Sequence, residues 1–253
     1  MGRVVGRRDW ADGLFSLSVA AALEPHRPGQ FVNLGLELDG ELVRRAYSLA
    51  SPPGSVAEVL VTVVPGGRLT PALARLRVGD ELFVEPRAQG FFTLDYVPPA
   101  AELWLLATGT GLAPFVAMLR SGEPFRRFER VVLVHGVRER AHLAYADELA
   151  ALARSHAGQL RRVACVTREA VAEGLEGAAD ADGLAWLRGR VPAALGDGRL
   201  EGAAGAALEP ARVHVLMCGN PAMVDATTAV LEARGLRRHR QRAPGHFAAE
   251  RFW

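Results

Sequence analysis

Residues 98–120 read PPAAELWLLATGTGLAPFVAMLR, and the fold turns on how they are read. Pro98-Pro99 interrupts the chain. Leu103 to Thr108 is a short apolar run without polar alternation, which suits a strand buried on both faces. Gly109-Thr110-Gly111-Leu112-Ala113-Pro114 then turns the chain, and Phe115 to Arg120 begins a helix. Strand, glycine-rich turn and helix open a βαβ unit, and the turn lies where such units hold a dinucleotide. The fingerprint is partial. Gly109 and Gly111 fit the first two glycines of GxGxxG, but Pro114 replaces the third. Alone, GxGxxP is a weak signal.

Downstream the same alternation continues. Val131 to His135, Leu160 to Thr167 and Val213 to Cys218 read as further apolar strands. Leu143 to Ser155 and residues 222–234 read as helices; Asn220 is a natural N-cap, Pro221 suits the first helical position, and Gly235 ends the second helix. Residues 174–209 are rich in Gly, Ala, Asp and Glu and read as a loop-heavy connection with one or two short helices. Short apolar strands alternating with helices predict a doubly wound parallel sheet, which binds ligands beyond the carboxyl ends of its strands. An NAD site presents an acid after the second strand to hold the ribose 2′-hydroxyl. Here the strand ends read Val137-Arg138 and Thr167-Arg168, with Arg190 following in Gly189-Arg190-Val191-Pro192. Planar guanidinium groups pair with phosphate oxygens, so three arginines there favour a 2′-phosphate, and NADP over NAD.

Upstream the pattern changes to strands and tight turns. Residues 3–8 and 13–20 form a hairpin at Asp12-Gly13, and residues 31–38 and 41–50 form another at Asp39-Gly40. Residues 57–64, 81–85 and 91–95 read as strands, and Leu69 to Leu76 as a short helix with Thr70 at the N-cap and Pro71 at the first helical position. Six or seven short antiparallel strands with one helix predict a small barrel or sandwich. The 41–50 strand carries Arg45-Ala46-Tyr47-Ser48. Arg45 can neutralise a phosphate, Tyr47 can stack on a planar ring, and Ser48 can offer a hydroxyl to a ring nitrogen. By itself the tetrapeptide reads as an ordinary strand. The helix start at Gly67-Arg68-Leu69-Thr70, with unpaired N–H groups and a positive dipole end, adds a second anion-binding element beside Arg45.

Bulk properties narrow the class. The chain has 253 residues, 49% of them hydrophobic, with mean hydropathy +0.09, enough for a real core. Net charge is +2, and the 30 Lys+Arg residues are all arginine, which reads as genome composition. A near-neutral chain does not suggest a nucleic-acid binder. Two cysteines, Cys165 and Cys218, cannot build a disulfide framework, a zinc site or an iron–sulfur cluster, and no metal ligand set is seen among the seven His. The start lacks a signal peptide, and Leu103 to Leu119 is too broken by Gly and Pro to span a membrane. A soluble, reduced, cytoplasmic, monomeric protein is expected, with no nucleic acid or membrane partner.

Taken in order, PGQF at 28–31, RAYS at 45–48, GRLT at 67–70, ATGTGLAPF at 107–115, VHGVR at 134–138, CGNPAMV at 218–224 and PGHFAAERFW at 244–253 resemble the ferredoxin–NADP reductase family, in its bacterial ferredoxin/flavodoxin reductase branch. The resemblance spans nearly the whole chain. It implies an antiparallel Greek-key β-barrel FAD domain over 1–98, followed by a doubly wound parallel-sheet NADP domain over 99–253 whose carboxy-terminal tail returns to the flavin. It further implies that Arg45, Ala46, Tyr47, Ser48, Arg68, Leu69 and Thr70 hold FAD, with Arg45 on the pyrophosphate, Tyr47 on the isoalloxazine and Ser48 near flavin N5. Phe252 would lie next to the isoalloxazine and Trp253 on the adenine. Thr110 and Cys218 would flank the nicotinamide, Glu250 would stabilise or relay charge near the flavin, and Ser48, Cys218, Glu250 and Phe252 would make up the reacting site. Gly111, Val137, Arg138, Thr167, Arg168, Arg190, Cys218 and Gly219 would bind NADP.

The activity so implied is electron transfer between NADPH and a separate acidic carrier, ferredoxin or flavodoxin, because a flavin couples a two-electron donor to one-electron acceptors. Arg75, Arg77, Arg237, Arg238, Arg240 and Arg242 would suit an acidic carrier. Two alternatives stand beside it: a flavin reductase component serving an oxygenase or haem protein, and a non-catalytic flavin or nucleotide sensor. A hydrolase is not supported, since no GxSxG elbow occurs.

Overall fold

Alternating burial builds the first sheet. The computed structural model describes residues 1–171 and 176–252. Strands β1 (Gly2–Ala11), β2 (Leu14–Ala20), β3 (Phe31–Leu38), β4 (Glu41–Ser48), β5 (Ala57–Thr62) and β6 (Glu81–Val84) pair in the order β4-β3-β6-β1-β2-β5, antiparallel throughout. Leu49 bridges Val59, and the Ala50 N–H donates to the Glu58 carbonyl, so the two edges of this sheet meet. β3, β4 and β5 then neighbour one another in turn, with β2 beside β5, which is a Greek key in a closed barrel. Val4, Phe15, Leu17, Val32, Leu34, Leu82 and Val84 fill its interior. At the β3–β4 hairpin both Asp39 (φ 54°) and Gly40 (φ 76°) take left-handed backbone, the requirement of a type I′ turn.

Two local expectations differ. Residues 91–95 are not a strand. Phe92, Thr93 and Leu94 are buried in succession, which a two-residue period does not allow, and a 3₁₀ turn closes the segment at Leu94–Tyr96. Helix α1 spans Leu69–Leu73 with Arg68 at its N-cap. Thr70 therefore lies inside the helix. Its Oγ1 accepts the Val64 N–H at 2.9 Å, so it holds the incoming loop and does not cap the helix.

Continuous burial builds the second sheet. β7 (Glu102–Thr108), β8 (Arg130–Val137), β9 (Leu160–Val166), β10 (Leu184–Arg188), β11 (Val213–Gly219) and β12 (Phe247–Arg251) run in the order β10-β9-β8-β7-β11-β12, all parallel. The chain moves outward from β7 to β10, then returns to the other side of β7, so the switch point lies between β7 and β11. α3 (Glu123–Arg127), α4 (Ala146–Ser155), α5 (Val191–Gly196), α6 (Arg199–Ala204) and α7 (Pro221–Ala233) belong to this part of the chain. Asn220 caps α7 by accepting the Ala222 N–H. Trp104 and Phe247 are fully buried, and each such side chain contributes roughly 1.5–3 kcal/mol of burial.

The loop-heavy reading of 174–209 misses β10 but includes α5 and α6; residues 172–175 lie outside the described residues. The tail holds a strand that sequence reading does not show: 247–251 is β12. Contacts along the chain define two compact units, 1–95 with 113–121, and 96–112 with 122–253. Helix α2 (Ala113–Arg120) thus packs within the first unit, whereas a cut at 98/99 assigns it to the second. Arg120 Nη1 donates to Glu58 Oε2 at 2.6 Å and to the Ala50 carbonyl at 2.9 Å, and the Phe115 ring lies 5.9 Å from that of Phe92.

Candidate functional site

In the first unit, strand alternation puts Arg45 and Tyr47 on one face of β4 and Ala46 and Ser48 on the other. Arg45 is exposed, its Nη1 resting on the Arg44 carbonyl at 2.8 Å. Tyr47 is half-buried against the barrel core. Burial pushes its phenol up to about 12 against the opposing charge of Arg45, so the ring presents a neutral face. Ser48 is 2% exposed, and its Oγ has no hydrogen-bond partner among the described residues. A buried hydroxyl left unpaired is costly, so it marks a place where a polar ligand atom belongs. A flavin ring nitrogen fits that requirement. Arg68 reaches the same strand: Nη1 donates to Glu41 Oε2 at 2.8 Å, with Asp39 Oδ2 4.0 Å away. The Glu41 hydrogen bond, then the charges of Glu41 and Asp39, raise its pKa.

In the second unit, the ends of β7 and β11 interlock. Gly111, in the 3₁₀ turn Gly109–Leu112 that follows β7, has no room for a side chain: a Cβ there would stand 2.3 Å from the Cys218 carbonyl oxygen. At Gly219 (φ 140°) a Cβ would stand 2.2 Å from Thr108 Oγ1. Glycine at both positions lets the turn and the strand end touch, and Thr110 stands half-exposed at the rim. β12 adds the tail to this edge. Its register pairs Cys218 with Glu250 and Gly219 with Arg251, and the Phe252 N–H donates to the Gly219 carbonyl at 2.7 Å. Cys218 is fully buried. Burial and then the Glu250 charge hold its thiol well above the usual range, so it is a neutral wall and not a nucleophile. Trp253 lies outside the described residues.

Across the remaining strand ends lie the arginines. Val137 and Val166 are register partners, and the Arg168 N–H donates to the Arg138 carbonyl at 2.8 Å, so these two arginines leave adjacent strands side by side. Thr167 Oγ1 lies 3.4 Å from the Val137 carbonyl. Arg190 follows β10, the next strand, as the N-cap of α5. All three are exposed, and none makes an ion pair among the described residues. The arginines at 237–242 lie elsewhere. Arg238 bridges Phe247 at the amino end of β12, so they sit at the opposite edge of the sheet and do not line the switch-point crevice.

Two residues with structural roles here were not singled out by sequence reading. His135 Nε2 donates to the Gly109 carbonyl at 3.0 Å, bracing the glycine turn; burial pushes its pKa down to about 4 although that bond opposes the shift. Thr108 Oγ1 accepts the Asn220 N–H. Both lie within motifs, Thr108 in ATGTGLAPF and His135 in VHGVR, but only the fold shows what these two side chains bond to.

Residues 9–90 match the oxidoreductase FAD-binding domain, and residues 105–229 match the oxidoreductase NAD-binding domain. The chain is 42% identical over 254 residues to the flavodoxin/ferredoxin–NADP reductase of Escherichia coli (strain K12), covering 100% of this chain and 98% of that one. The chain belongs to the flavodoxin/ferredoxin–NADP reductase family. It is 35% identical over 262 residues to the ferredoxin–NADP reductase of Pseudomonas aeruginosa, covering 98% and 95% of the two chains. A ferredoxin NADP+ reductase from Neisseria gonorrhoeae, solved with bound FAD and NADP, is similar in structure, with a TM-score of 0.88 and 28% identity over 100% of this chain and 98% of that one. The two sheets are thus the FAD-binding and NAD-binding parts of an oxidoreductase, as the sequence leads one to expect. Among the described residues no helix is long and apolar enough to cross a membrane.

Proposed function

We propose that this chain moves electrons between NADPH and a separate one-electron carrier, a ferredoxin or a flavodoxin, through a bound FAD. The observation that carries the choice of NADPH is the row Arg138, Arg168 and Arg190 beyond three adjacent strand ends, each without an ion pair among the described residues. Three free guanidinium groups suit a dianionic phosphate and would be wasted on a ribose hydroxyl. When bound, the flavin supplies the exchange between two-electron and one-electron chemistry.

The chain's own residues bind and orient. On this reading Arg45 and the Arg68–Thr70 segment hold the flavin's phosphates, Tyr47 and Ser48 fix its ring, and Ala46 and Leu69 supply backbone and packing. Gly111, Val137, Thr167 and Gly219 let the nicotinamide nucleotide approach the strand ends. Thr110, Cys218, Glu250 and Phe252 line the nicotinamide side. Phe252 keeps the ring position closed to water until the nicotinamide takes it. The neutral Cys218 thiol leaves its register partner Glu250 as the acidic side chain there. Exposed Arg75 and Arg77 suit an acidic carrier.

A flavin absorption spectrum of the purified protein, and its bleaching by NADPH against NADH, tests this. Yellow protein bleached far faster by NADPH is expected. A colourless protein that takes up no flavin refutes the proposal.

A further inference from the structure

An acid stands beside each of the two neighbouring arginines, in Arg138-Glu139 and Arg168-Glu169. A free carboxylate next to a phosphate site repels the ligand or captures the arginine meant for it. Glu169 is not free. The Arg140 backbone N–H donates to Glu169 Oε2 at 3.1 Å, and Arg140 Nε stands 3.8 Å from the same oxygen. The Arg140 guanidinium is fixed in turn, with its Cζ 4.5 Å from the centroid of the Trp186 ring. Trp186 cannot rotate away. It lies in an apolar cluster with Val137, Ala164 and Val166, and its Nε1–H donates to Asp180 Oδ2 at 2.8 Å. Asp180 is itself held by the Asp182 and Leu184 N–H groups, each at 3.0 Å. The chain from Asp180 through Trp186 and Arg140 to Glu169 therefore ends on the residue next to Arg168.

We infer that Arg140 is a positioning residue for the NADP 2′-phosphate: braced on Trp186, it occupies the Glu169 carboxylate and leaves Arg138 and Arg168 for the phosphate. The inference rests on the NADPH reading above. Neither Arg138 nor Arg168 makes an ion pair among the described residues, although Glu169 adjoins Arg168 in the chain. Arg140 also ties the two loops together, because it follows β8 and Glu169 follows β9. Arg140→Ala leaves the backbone N–H on Glu169 but removes the guanidinium charge that offsets the carboxylate, so one uncompensated anion then stands at the phosphate site.

Calorimetric titration of the purified flavin-loaded protein with 2′,5′-ADP and with 5′-AMP tests this without turnover. The Arg140→Ala variant is expected to bind 2′,5′-ADP roughly three- to tenfold more weakly, while 5′-AMP moves by less than about twofold. Adding Glu169→Gln to Arg140→Ala is expected to restore most of the loss, since the uncompensated charge is then gone. Unchanged 2′,5′-ADP affinity in Arg140→Ala, equal weakening of both ligands, or no recovery in the double variant each overturns the inference. A parent protein that does not prefer 2′,5′-ADP over 5′-AMP overturns the NADPH reading itself.

Discussion

The hydroxyl of Thr108, the last residue of β7, accepts the backbone N–H of Asn220 at 3.0 Å. Strand pairing joins β7 to β11 only as far as Ala107 and Cys218, so this bond carries the joint past the strand end to the N-cap of α7. Thr108→Val keeps the shape and removes the acceptor. It is expected to cost about 1 kcal/mol in denaturant unfolding and to raise the KM for NADPH. An unchanged midpoint and an unchanged KM would show that the hydroxyl does neither.

Ser48 invites a test with two opposite signs. Its buried hydroxyl lacks a partner among the described residues, so Ser48→Ala removes an uncompensated group. The flavin-free protein is expected to unfold at the same or higher denaturant concentration. The flavin-loaded variant is expected to be bleached by NADPH roughly tenfold more slowly, the worth of one hydrogen bond of about 1.4 kcal/mol. A less stable flavin-free variant would mean that Ser48 serves the barrel and not the cofactor.

Acid should weaken the second unit. The folded pKa of His135 is pushed down to about 4, against an ordinary value of 6.5. Below pH 6.5 the unfolded chain takes up a proton that the folded chain refuses. Stability is therefore complete above pH 6.5 and is lost as pH falls toward 4, by at most about 1.4 kcal/mol per pH unit. Buried His214, down at about 3, acts in the same direction. Unfolding midpoints between pH 7 and 4.5 are expected to fall less steeply in His135→Gln than in the parent. Parallel slopes would remove His135 from the account.

Helix α2 is pinned to the barrel by Arg120, whose side chain is 21% exposed and that of Glu58 16%. Glu58→Ala takes the carboxylate from a largely buried guanidinium and leaves it the Ala50 carbonyl. A loss of about 2 kcal/mol is expected in equilibrium unfolding, less than for a fully buried pair because water still reaches both groups. Replacement without cost would show that water substitutes for the carboxylate.

Phe252 is tied to Gly219 through its backbone, so Phe252→Gly keeps the strand end and removes only the ring. A ring that occupies the nicotinamide position discriminates against weakly held ligands. Without it, the preference for NADPH over NADH in kcat/KM is expected to fall. An unchanged preference in steady-state kinetics argues against a gating ring.

Local chemistry made parts of this molecule legible early. β3 runs over Phe31–Leu38, as expected, because its burial alternates and the Asp39-Gly40 turn punctuates it. The Asn220-Pro221 cap announces α7 because capping is local to three residues. β10 and β12 were not legible. LAWLR is short and flanked by Asp, Gly and Arg, and FAAER is poor in β-formers, so neither sequence asks to be a strand. Each exists because a parallel partner offers hydrogen bonds: β9 for the first, β11 for the second. The Thr70 cap failed for a related reason, since the Val64 N–H competes for the same oxygen.

The residues by themselves determined most of the elements and their order, the Arg45–Ser48 segment on β4, the glycine turn and the arginines at the strand ends, because each rests on a period, a turn preference or a charge that neighbours in sequence express. Tertiary structure alone decided which of these meet. Parallel pairing set Arg138 beside Arg168 and Glu250 beside Cys218, and it sent the arginines at 237–242 to the far edge of the sheet. It also set Glu169 against Arg140, and Arg140 against Trp186, contacts between strand ends that no local pattern encodes. Thr108, first met as the end of an apolar run, acquires its role only when β11 arrives from more than a hundred residues downstream to place Asn220 beside it; the bond between them spans |i−j| = 112.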